Sequence, residues 1–345
     1  MSDPIEDAVR NLVTLRRLSN GVAKEMRGRV RGLIDAIVAE IARADPTAVS
    51  AARYRRARTQ KLLDEISAVA DVQYPELSAA LKTSVAQIGA QQATWAASSL
   101  QKNIGEVAVS LKRGIGVQYF RTILREDPFH GELFTDWVTR HRTSTINAVR
   151  QQIQIGMAQS ETLGDIVRRV RGRSVGGGRF VGGVLRVATA QAEGIARTAI
   201  NHISNVAHEE VYRQNADVLE GVQFSATLDS RTTPICARWD GTVWSLDDPG
   251  IQRPPLHFNC RSQLIPVVDW KGLGLEPPPP ATRASAGGPV PASQTYEDWF
   301  RKLGPSEQND IIGATRADLF RRGKITFRDM IAKDNSIVRI EDLPI

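Results

Sequence analysis

Apolar residues recur at intervals of three and four positions along about the first 170 residues, and this spacing constrains the fold more than any other feature. The clearest series is Val30, Leu33, Ile34, Ile37, Val38 and Ile41. Such spacing places apolar side chains on one face of an α-helix. Pro46 is predicted to end this helix, and residues 51–111 to form one or two further long helices. The first half of the chain is therefore expected to be helical.

The periodicity of the sequence changes near Gly221. Residues 189–214 still follow helical spacing, whereas alternation typical of a strand begins after the glycine, at Val222, Phe224, Ala226 and Leu228. The stretch SQLIPVVDW is predicted to add a strand, which Pro266 would confine to the edge of a sheet or to the strand's end. Asp240-Gly241, a dipeptide typical of two-residue hairpins, is predicted to join strands at ICARW and TVWSL.

These patterns predict an α+β fold that is predominantly α-helical, in four parts. Residues 1–175 form a long helical amino-terminal region, and residues 176–270 form a small β-containing Cys/His core domain that includes helix 189–214. Residues 271–293 are rich in Pro, Ala and Gly and are predicted to be a linker, because such a tract cannot bury a core. Residues 294–345 form a short helical appendage.

Helix 189–214 carries a polar stripe whose members lie one turn apart. The stripe consists of Arg197, Asn201, Asn205 and His208. Two interpretations stay open at this point. The stripe either faces solvent or packs on the loop that carries the cysteines.

The densest set of chemically special residues lies between Leu228 and Val267. Cys236 and Cys260, the two cysteines of the chain, lie there with His257, three residues before Cys260. The spacing H-x-x-C lets one turn present two ligands to a tetrahedral metal. These three residues are candidate ligands of a structural zinc ion, with Asp229 as the nearest candidate for the fourth and His202 or His208 as substitutes.

Other interpretations of this group stay open. The cysteines could be small buried apolar residues with His257 hydrogen-bonded in a loop, or they could pair as a disulfide, which a reducing cytosol disfavours. Cys236, His257 and Asp229 are also the residue types of a thiol nucleophile, its base and an orienting acid. No further catalytic signature accompanies them, and the prediction is that the chain is not an enzyme.

The net charge of +7 and a pI near 9.6 favour an acidic partner. Two arginine runs are candidate phosphate contacts, although Tyr54 is the single aromatic residue interleaved with them, fewer than in many nucleic-acid surfaces. The first contains Arg53, Arg55, Arg56, Arg58 and Lys61, and the second contains Arg168, Arg169, Arg171, Arg173 and Arg179. No run approaches the ~20 apolar residues that cross a bilayer, and no secretory signal is visible, so no membrane contact is expected.

The order of residues around the cysteines resembles the core of the Mu F-like phage head morphogenesis family. The resemblance lies in Asp229-x-Arg231-Thr232, Cys236, Asp240-Gly241, Pro254-Pro255-x-His257 and Cys260-Arg261. The run IARTAINHISNVAHEEVY before it, and the ending TYEDWFRKLGPSEQNDIIGATRADLFRRGKIT, are similar to the family as well. Ser262 and Thr233 stand where relatives have further cysteines.

This resemblance implies a structural minor head protein of the virion, assembled in the bacterial host cytoplasm. Its implied partners are the portal protein, the major capsid or scaffolding protein and, through the arginines, phage DNA. Two alternatives stay beside this expectation. One is a DNA-binding protein that is carried in the virion and ejected with the genome, and the other is a cysteine-dependent enzyme.

Overall fold

The computed structural model of the chain describes residues 3–45, 47, 52–105, 107, 109, 115–176, 180–279 and 281–344. Helices predominate among them, which confirms the predicted fold class. The longer helices come first: α1 (Pro4–Ala44), α2 (Ala52–Ile104), α3 (Val117–Glu126), α4 (Phe134–Ala158), α5 (Leu163–Arg171) and α6 (Gly183–Gln214). Shorter helices follow a 3-10 turn at Ala216–Val218: α7 (Pro234–Trp239), α8 (Tyr296–Arg301), α9 (Pro305–Ile312), α10 (Ala314–Arg321) and α11 (Phe327–Met330).

The described chain divides into two compact units. The first comprises Met1–Arg17, Gln87–Phe120 and Ile200–Ile345, and the second comprises Leu18–Ala86 and Arg121–Ala199. Each unit therefore combines segments that are distant in sequence. The predicted domain boundaries at residues 175, 270 and 293 stay predictions.

The apolar series that defined the first predicted helix lies in the second unit. Its six members, from Val30 to Ile41, are all buried on one face of α1. The helix ends at Ala44, and α2 begins at Ala52 on the other side of the break that Pro46 predicted. Helix α5 begins with a capping box, in which Thr162 and Asp165 each bond to the other's backbone amide. Periodicity and capping together therefore account for these helices.

Two short strands before α6, β1 (Arg173–Ser174) and β2 (Phe180–Val181), pair as an antiparallel hairpin. After α6, three strands form an antiparallel sheet in which the first strand along the chain lies between the other two. The three strands are β3 (Leu219–Ser225), β4 (Val243–Trp244) and β5 (Gln263–Val268). Pro266 lies in β5 at the sheet edge, as predicted. Gly221 lets the neighbouring strand approach closely, because a Cβ there would stand 2.0 Å from the carbonyl oxygen of Trp244.

The predicted hairpin around Asp240-Gly241 is wrong. Residues 234–239 form helix α7, which Pro234 starts at a position where its fixed φ and missing N–H suit a helix. Asp240 ends α7, and Gly241 turns the chain toward β4 with a φ of +81°. The dipeptide therefore marks a turn, but the turn joins a helix to a strand.

The segment predicted as a linker contains a hairpin of β6 (Thr282–Ser285) and β7 (Gly288–Pro291). The helices beyond it close a core rich in aromatic residues, into which Leu228 and Ala237 also pack. Its largest buried members are Tyr296, Trp299, Phe300, Phe320, Phe327 and Met330. Aromatic rings meet edge to face in this core, as between Phe300 and Phe327 at 5.1 Å.

Candidate functional site

Helix α6 positions the loop that carries Cys260. Asn201 donates from its side-chain amide to the backbone carbonyl of Ser262 at 3.0 Å, and Asn205 accepts from the backbone amide of Leu264 at 3.0 Å. Both asparagines are buried. Part of the polar stripe of this helix therefore packs on the cysteine loop, which decides between the two interpretations for these residues.

The other two members of the stripe have different neighbours. The His208 ring is buried, with Nε2 2.9 Å from Oε1 of Gln92 and the ring centroid 5.0 Å from that of Trp95. Burial lowers the pKa of His208 to about 3. Arg197 is partly exposed and pairs with Glu193 at 2.9 Å.

Cys236, His257 and Cys260 converge as predicted, with one ligand atom from each lying within 4.8 Å of the others. Cys236 Sγ is 3.6 Å from Cys260 Sγ and 3.3 Å from His257 Nε2. A tetrahedral zinc ion with Zn–S of about 2.3 Å and Zn–N of about 2.0 Å would separate two sulfurs by about 3.8 Å, and a sulfur from a nitrogen by about 3.5 Å. The observed spacings lie within a few tenths of an ångström of these values.

Local hydrogen bonds fix the orientation of the His257–Cys260 turn. His257 Nδ1 lies 3.0 Å from the carbonyl oxygen of Phe258, and because a carbonyl only accepts, Nδ1 carries the proton. Nε2 then offers its lone pair toward Cys236, in the tautomer that a metal-bound histidine needs. The Cys260 amide donates to the His257 carbonyl at 3.1 Å, and the Ser262 amide donates to the Cys260 sulfur.

The two thiols differ in how readily they lose a proton. The hydrogen bond from the Cys236 thiol, together with the neighbouring His257, outweighs burial and holds the pKa of Cys260 well below its usual range. The same contact with Cys260, reinforced by burial, raises the pKa of Cys236. Burial, the largest single effect, lowers the pKa of His257, but the interactions with Cys260 and with the Phe258 carbonyl together outweigh it, and the net shift is upward. The group therefore favours a thiolate at Cys260, which is the form that binds metals.

The fourth ligand position has several candidate neighbours. Both carboxylate oxygens of Asp229 accept from Arg261, at 2.5 and 2.6 Å. Asp229 lies outside the group formed by the two cysteines and His257. The His208 ring is hydrogen-bonded to Gln92. The hydroxyls of Ser262 and Thr233 lie beside the Cys236 sulfur and act to lower the pKa of that thiol. These hydroxyls stand where the family resemblance places further cysteines.

The alternatives to a metal can now be compared with the geometry. Cys236 and Cys260 are free thiols, since their sulfurs are 3.6 Å apart and a disulfide requires about 2.05 Å. In the catalytic arrangement Asp229 would orient His257, but the Nδ1 of His257 bonds to a backbone carbonyl and Asp229 bonds to Arg261. Both thiols are also buried. This arrangement favours a role in structure.

Asp240 of the signature forms a buried ion pair that the sequence did not predict. Its carboxylate accepts from Arg283 at 3.1 Å and from the backbone amides of Ala226 and Tyr296, each at 2.7 Å. The side chains of Asp240 and Arg283 are 0% and 6% exposed. Arg283 lies in a segment whose composition indicated a linker, so no local sequence signal predicted Arg283 as the partner of Asp240.

Of the two arginine runs, the second is mostly paired with acidic residues where it is described. In the second run, Arg168 pairs with Asp165, Arg169 with Glu161 at 2.5 Å, and Arg171 with Asp35 at 2.6 Å. In the first run, Arg58 donates to the Ala44 carbonyl. Arg56 and Arg173 are exposed and form no ion pair within the described part of the chain. The side chains of Arg53 and Arg55, and all of Arg179, lie outside the described residues.

Comparison with known proteins gives one family. Residues 147–265 match the family described as Phage Mu protein F like protein. The matched region runs from within α4 into β5 and contains the whole signature from Asp229 to Arg261. The similarity of the last fifty residues to minor head proteins lies outside it and stays a prediction.

No curated protein and no solved structure matches the chain significantly. Within the described residues, no helix combines the length and apolar character required to cross a membrane. The family match agrees with the resemblance carried by the Asp229–Arg261 signature. By this match, residues 147–265 of the chain are similar to the Mu F-like phage head morphogenesis family.

Proposed function

We propose that this protein is a minor head protein of the virion, which binds the portal protein and the major capsid or scaffolding protein during procapsid assembly in the host cytoplasm. The observation that carries the proposal is the family match over residues 147–265, because this family has a role in phage head morphogenesis. The protein would act by holding neighbours together, without catalysis.

The internal bonding of the signature supports a structural role. Asp229 binds Arg261, Asp240 binds Arg283, and Cys236 and Cys260 are buried. Each of these polar groups is engaged in holding one chain segment to another. Catalytic groups, by contrast, need access to a substrate and a reactive protonation state. The exposed surface, and not these paired or buried groups, is then available for partners.

Co-purification with the cognate portal protein tests the proposed function. Tagged full-length protein, shown to be folded by circular dichroism, is mixed with the cognate portal and, as the matched control, with the portal of an unrelated phage. We expect retention of the cognate portal alone. A folded preparation that retains neither the portal nor procapsids containing the capsid and scaffolding proteins would refute the proposal.

We further propose that Cys236, His257 and Cys260 hold one structural zinc ion. The support is the fit of their spacing to a tetrahedral ion, the lone pair of His257 Nε2 and the lowered pKa of Cys260. When bound, the ion would join α7 to the turn before β5. The Ser262 or Thr233 hydroxyl, or a water molecule, would supply the fourth ligand.

Metal analysis with matched histidine variants tests the zinc site. Protein expressed with zinc should contain about one ion per chain, His257→Gln should lose most of it, and the exposed control His130→Gln should keep it. Replacement of zinc by cobalt should give the absorption of a thiolate-bound tetrahedral ion. Wild-type protein that takes up neither metal, or a His257→Gln variant that binds as much as wild type, would end the proposal.

DNA binding is a second candidate function, favoured by the exposed Arg56 and Arg173. Because Arg168, Arg169 and Arg171 already have acidic partners, we expect only weak binding that falls steeply with salt. Fluorescence anisotropy with duplex DNA at increasing salt measures this, and an Arg56→Gln/Arg173→Gln variant should show a shallower dependence. No affinity even at about 50 mM salt would dismiss this candidate.

A further inference from the structure

Three arginines meet around a single carboxylate beside the Cys/His group. Asp229 lies in the turn that follows β3, and Arg261 binds both of its carboxylate oxygens. Arg261 also donates to the hydroxyl of Thr232 at 3.3 Å. This bidentate pair neutralises one positive charge, and among the described residues the other two arginines, Arg16 and Arg231, have no carboxylate partner of their own.

Arg16 reaches this turn from α1. Its Nη2 donates to the hydroxyl of Thr227 at 3.0 Å, and its Nε is buried without a hydrogen-bond partner among the described residues. Burial lowers the pKa of Arg16, and the charges of Arg261 and Arg231 lower it further, against the opposing effect of Asp229. Arg16 therefore lies among like charges that its own chain compensates only in part.

Arg231 lies on the Asp229–Thr232 turn itself. Its backbone amide donates to Asp229 Oδ1 at 3.0 Å, which fixes the turn, and its side chain is exposed. Within the described part of the chain it forms no ion pair. Arg16 and Arg231 thus carry two positive charges at one end of the signature, one held in place by Thr227 and the other facing solvent.

We propose that Arg16 and Arg231, beside the Asp229–Arg261 pair, form a binding site for a carboxylate of an acidic segment on a partner protein. A carboxylate would screen the repulsion between the arginines and add a partner to Arg16, whose Nε has none among the described residues. The inference names the chemistry of one partner contact, and in that respect it rests on the proposed function.

The geometry favours a protein carboxylate over DNA. Binding to DNA draws on several cations spaced along a row of phosphates. Here Arg261 already binds the carboxylate of Asp229, and Arg16 and Arg231 lie near the same turn through Thr227 and the backbone of residue 231. The site therefore fits one acidic side chain, or two neighbouring ones, better than a nucleic-acid backbone.

Peptide binding to the full chain tests the site. A labelled polyglutamate peptide is titrated by fluorescence anisotropy into wild-type protein, Arg16→Gln and Arg231→Gln, with Arg17→Gln as the matched control. Arg17 is the next residue of α1 and is exposed. We expect each of the first two variants to bind at least about tenfold more weakly, and Arg17→Gln to bind as wild type does. If Arg16→Gln does not fold, the exposed Arg231 variant decides alone.

Three results would overturn the inference. The first is that wild-type protein does not bind the peptide. The second is that Arg17→Gln loses as much peptide affinity as the other two variants. The third is that duplex DNA binds in a way that depends on both Arg16 and Arg231 and the peptide does not compete with it. Co-purification of the same variants with the portal separates the two proposals. If Arg16→Gln and Arg231→Gln lose peptide binding but wild-type protein does not bind the portal, the proposed function is refuted and the carboxylate site is kept. If wild-type protein binds the portal fully but does not bind the peptide, the carboxylate site is refuted and the proposed function is kept.

Discussion

The buried pair of Asp240 and Arg283 gives the most direct test of how the first unit is held together. Arg283 donates through two nitrogens to the two carboxylate oxygens, each at 3.1 Å, and also to the backbone carbonyls of Ala226 and Gln294. Replacing Arg283 by Met keeps much of the side-chain volume and removes all these donors. Among the described residues, the buried carboxylate of Asp240 would then keep the backbone amides of Ala226 and Tyr296 as its remaining partners.

The expected cost follows from the burial of both partners. Removing one member of a buried ion pair lowers the free energy of unfolding by about 3–5 kcal/mol, because the remaining charge is uncompensated. Arg339 and Glu341, whose side chains are 78% and 72% exposed, provide the matched control. Arg339→Met should cost less than about 0.5 kcal/mol, since exposed pairs contribute little.

Urea unfolding followed by tryptophan fluorescence measures both variants, since Trp239 and Trp299 lie in the structure that surrounds the pair. The double variant Asp240→Leu/Arg283→Met should lose far less than the two single changes added together, because it leaves no unpaired charge. The reasoning would be refuted if Arg283→Met cost no more than Arg339→Met. Additive costs in the double variant would refute it as well.

Three further predictions test the elements that position the site. His208, with its pKa lowered to about 3 against 6.5 when unfolded, should contribute full stability above pH 6.5 and lose about 1.4 kcal/mol per pH unit below it. Stability curves of wild type and His208→Gln should therefore converge as the pH falls, and parallel curves would contradict this. Gly221→Ala should lower the free energy of unfolding by about 1–3 kcal/mol by pressing on the Trp244 carbonyl. Gly28→Ala, with open space in α1, should instead raise it by about 0.5–1 kcal/mol in the same urea assay. Asn205→Ala should cost about 1–3 kcal/mol by leaving a buried backbone amide of β5 unpaired, and hydrogen exchange at that strand should rise.

Much of the fold could be predicted from the sequence because its signals are local. The helical face of α1 and the strand alternation around Val222 each need only a few neighbouring residues to be recognised. The convergence of Cys236, His257 and Cys260 could also be anticipated, since H-x-x-C places two groups on one turn. The helix and the strand are confirmed because the local spacing that predicted them also places their apolar residues in the core.

The errors arose where two local signals competed or where the partner was distant. Asp240-Gly241 is typical of a hairpin, but Pro234 starts a helix that ends at the same dipeptide. Asp229 as a metal ligand stays a prediction, and only the folded loop shows that its carboxylate lies within reach of Arg261. The presence of both Asp229 and Arg261 in one signature was the signal that could have indicated their pairing.

The contacts of Asp240 also change what the family signature means physically. The family match ends at residue 265, but the carboxylate of Asp240 accepts from Arg283 and from the amide of Tyr296, both beyond that point. Leu228 and Ala237 likewise pack into the aromatic core that α8 to α11 complete. The signature therefore joins the matched region to the end of the chain, and its Asp-Gly dipeptide holds three chain segments together in addition to making a turn.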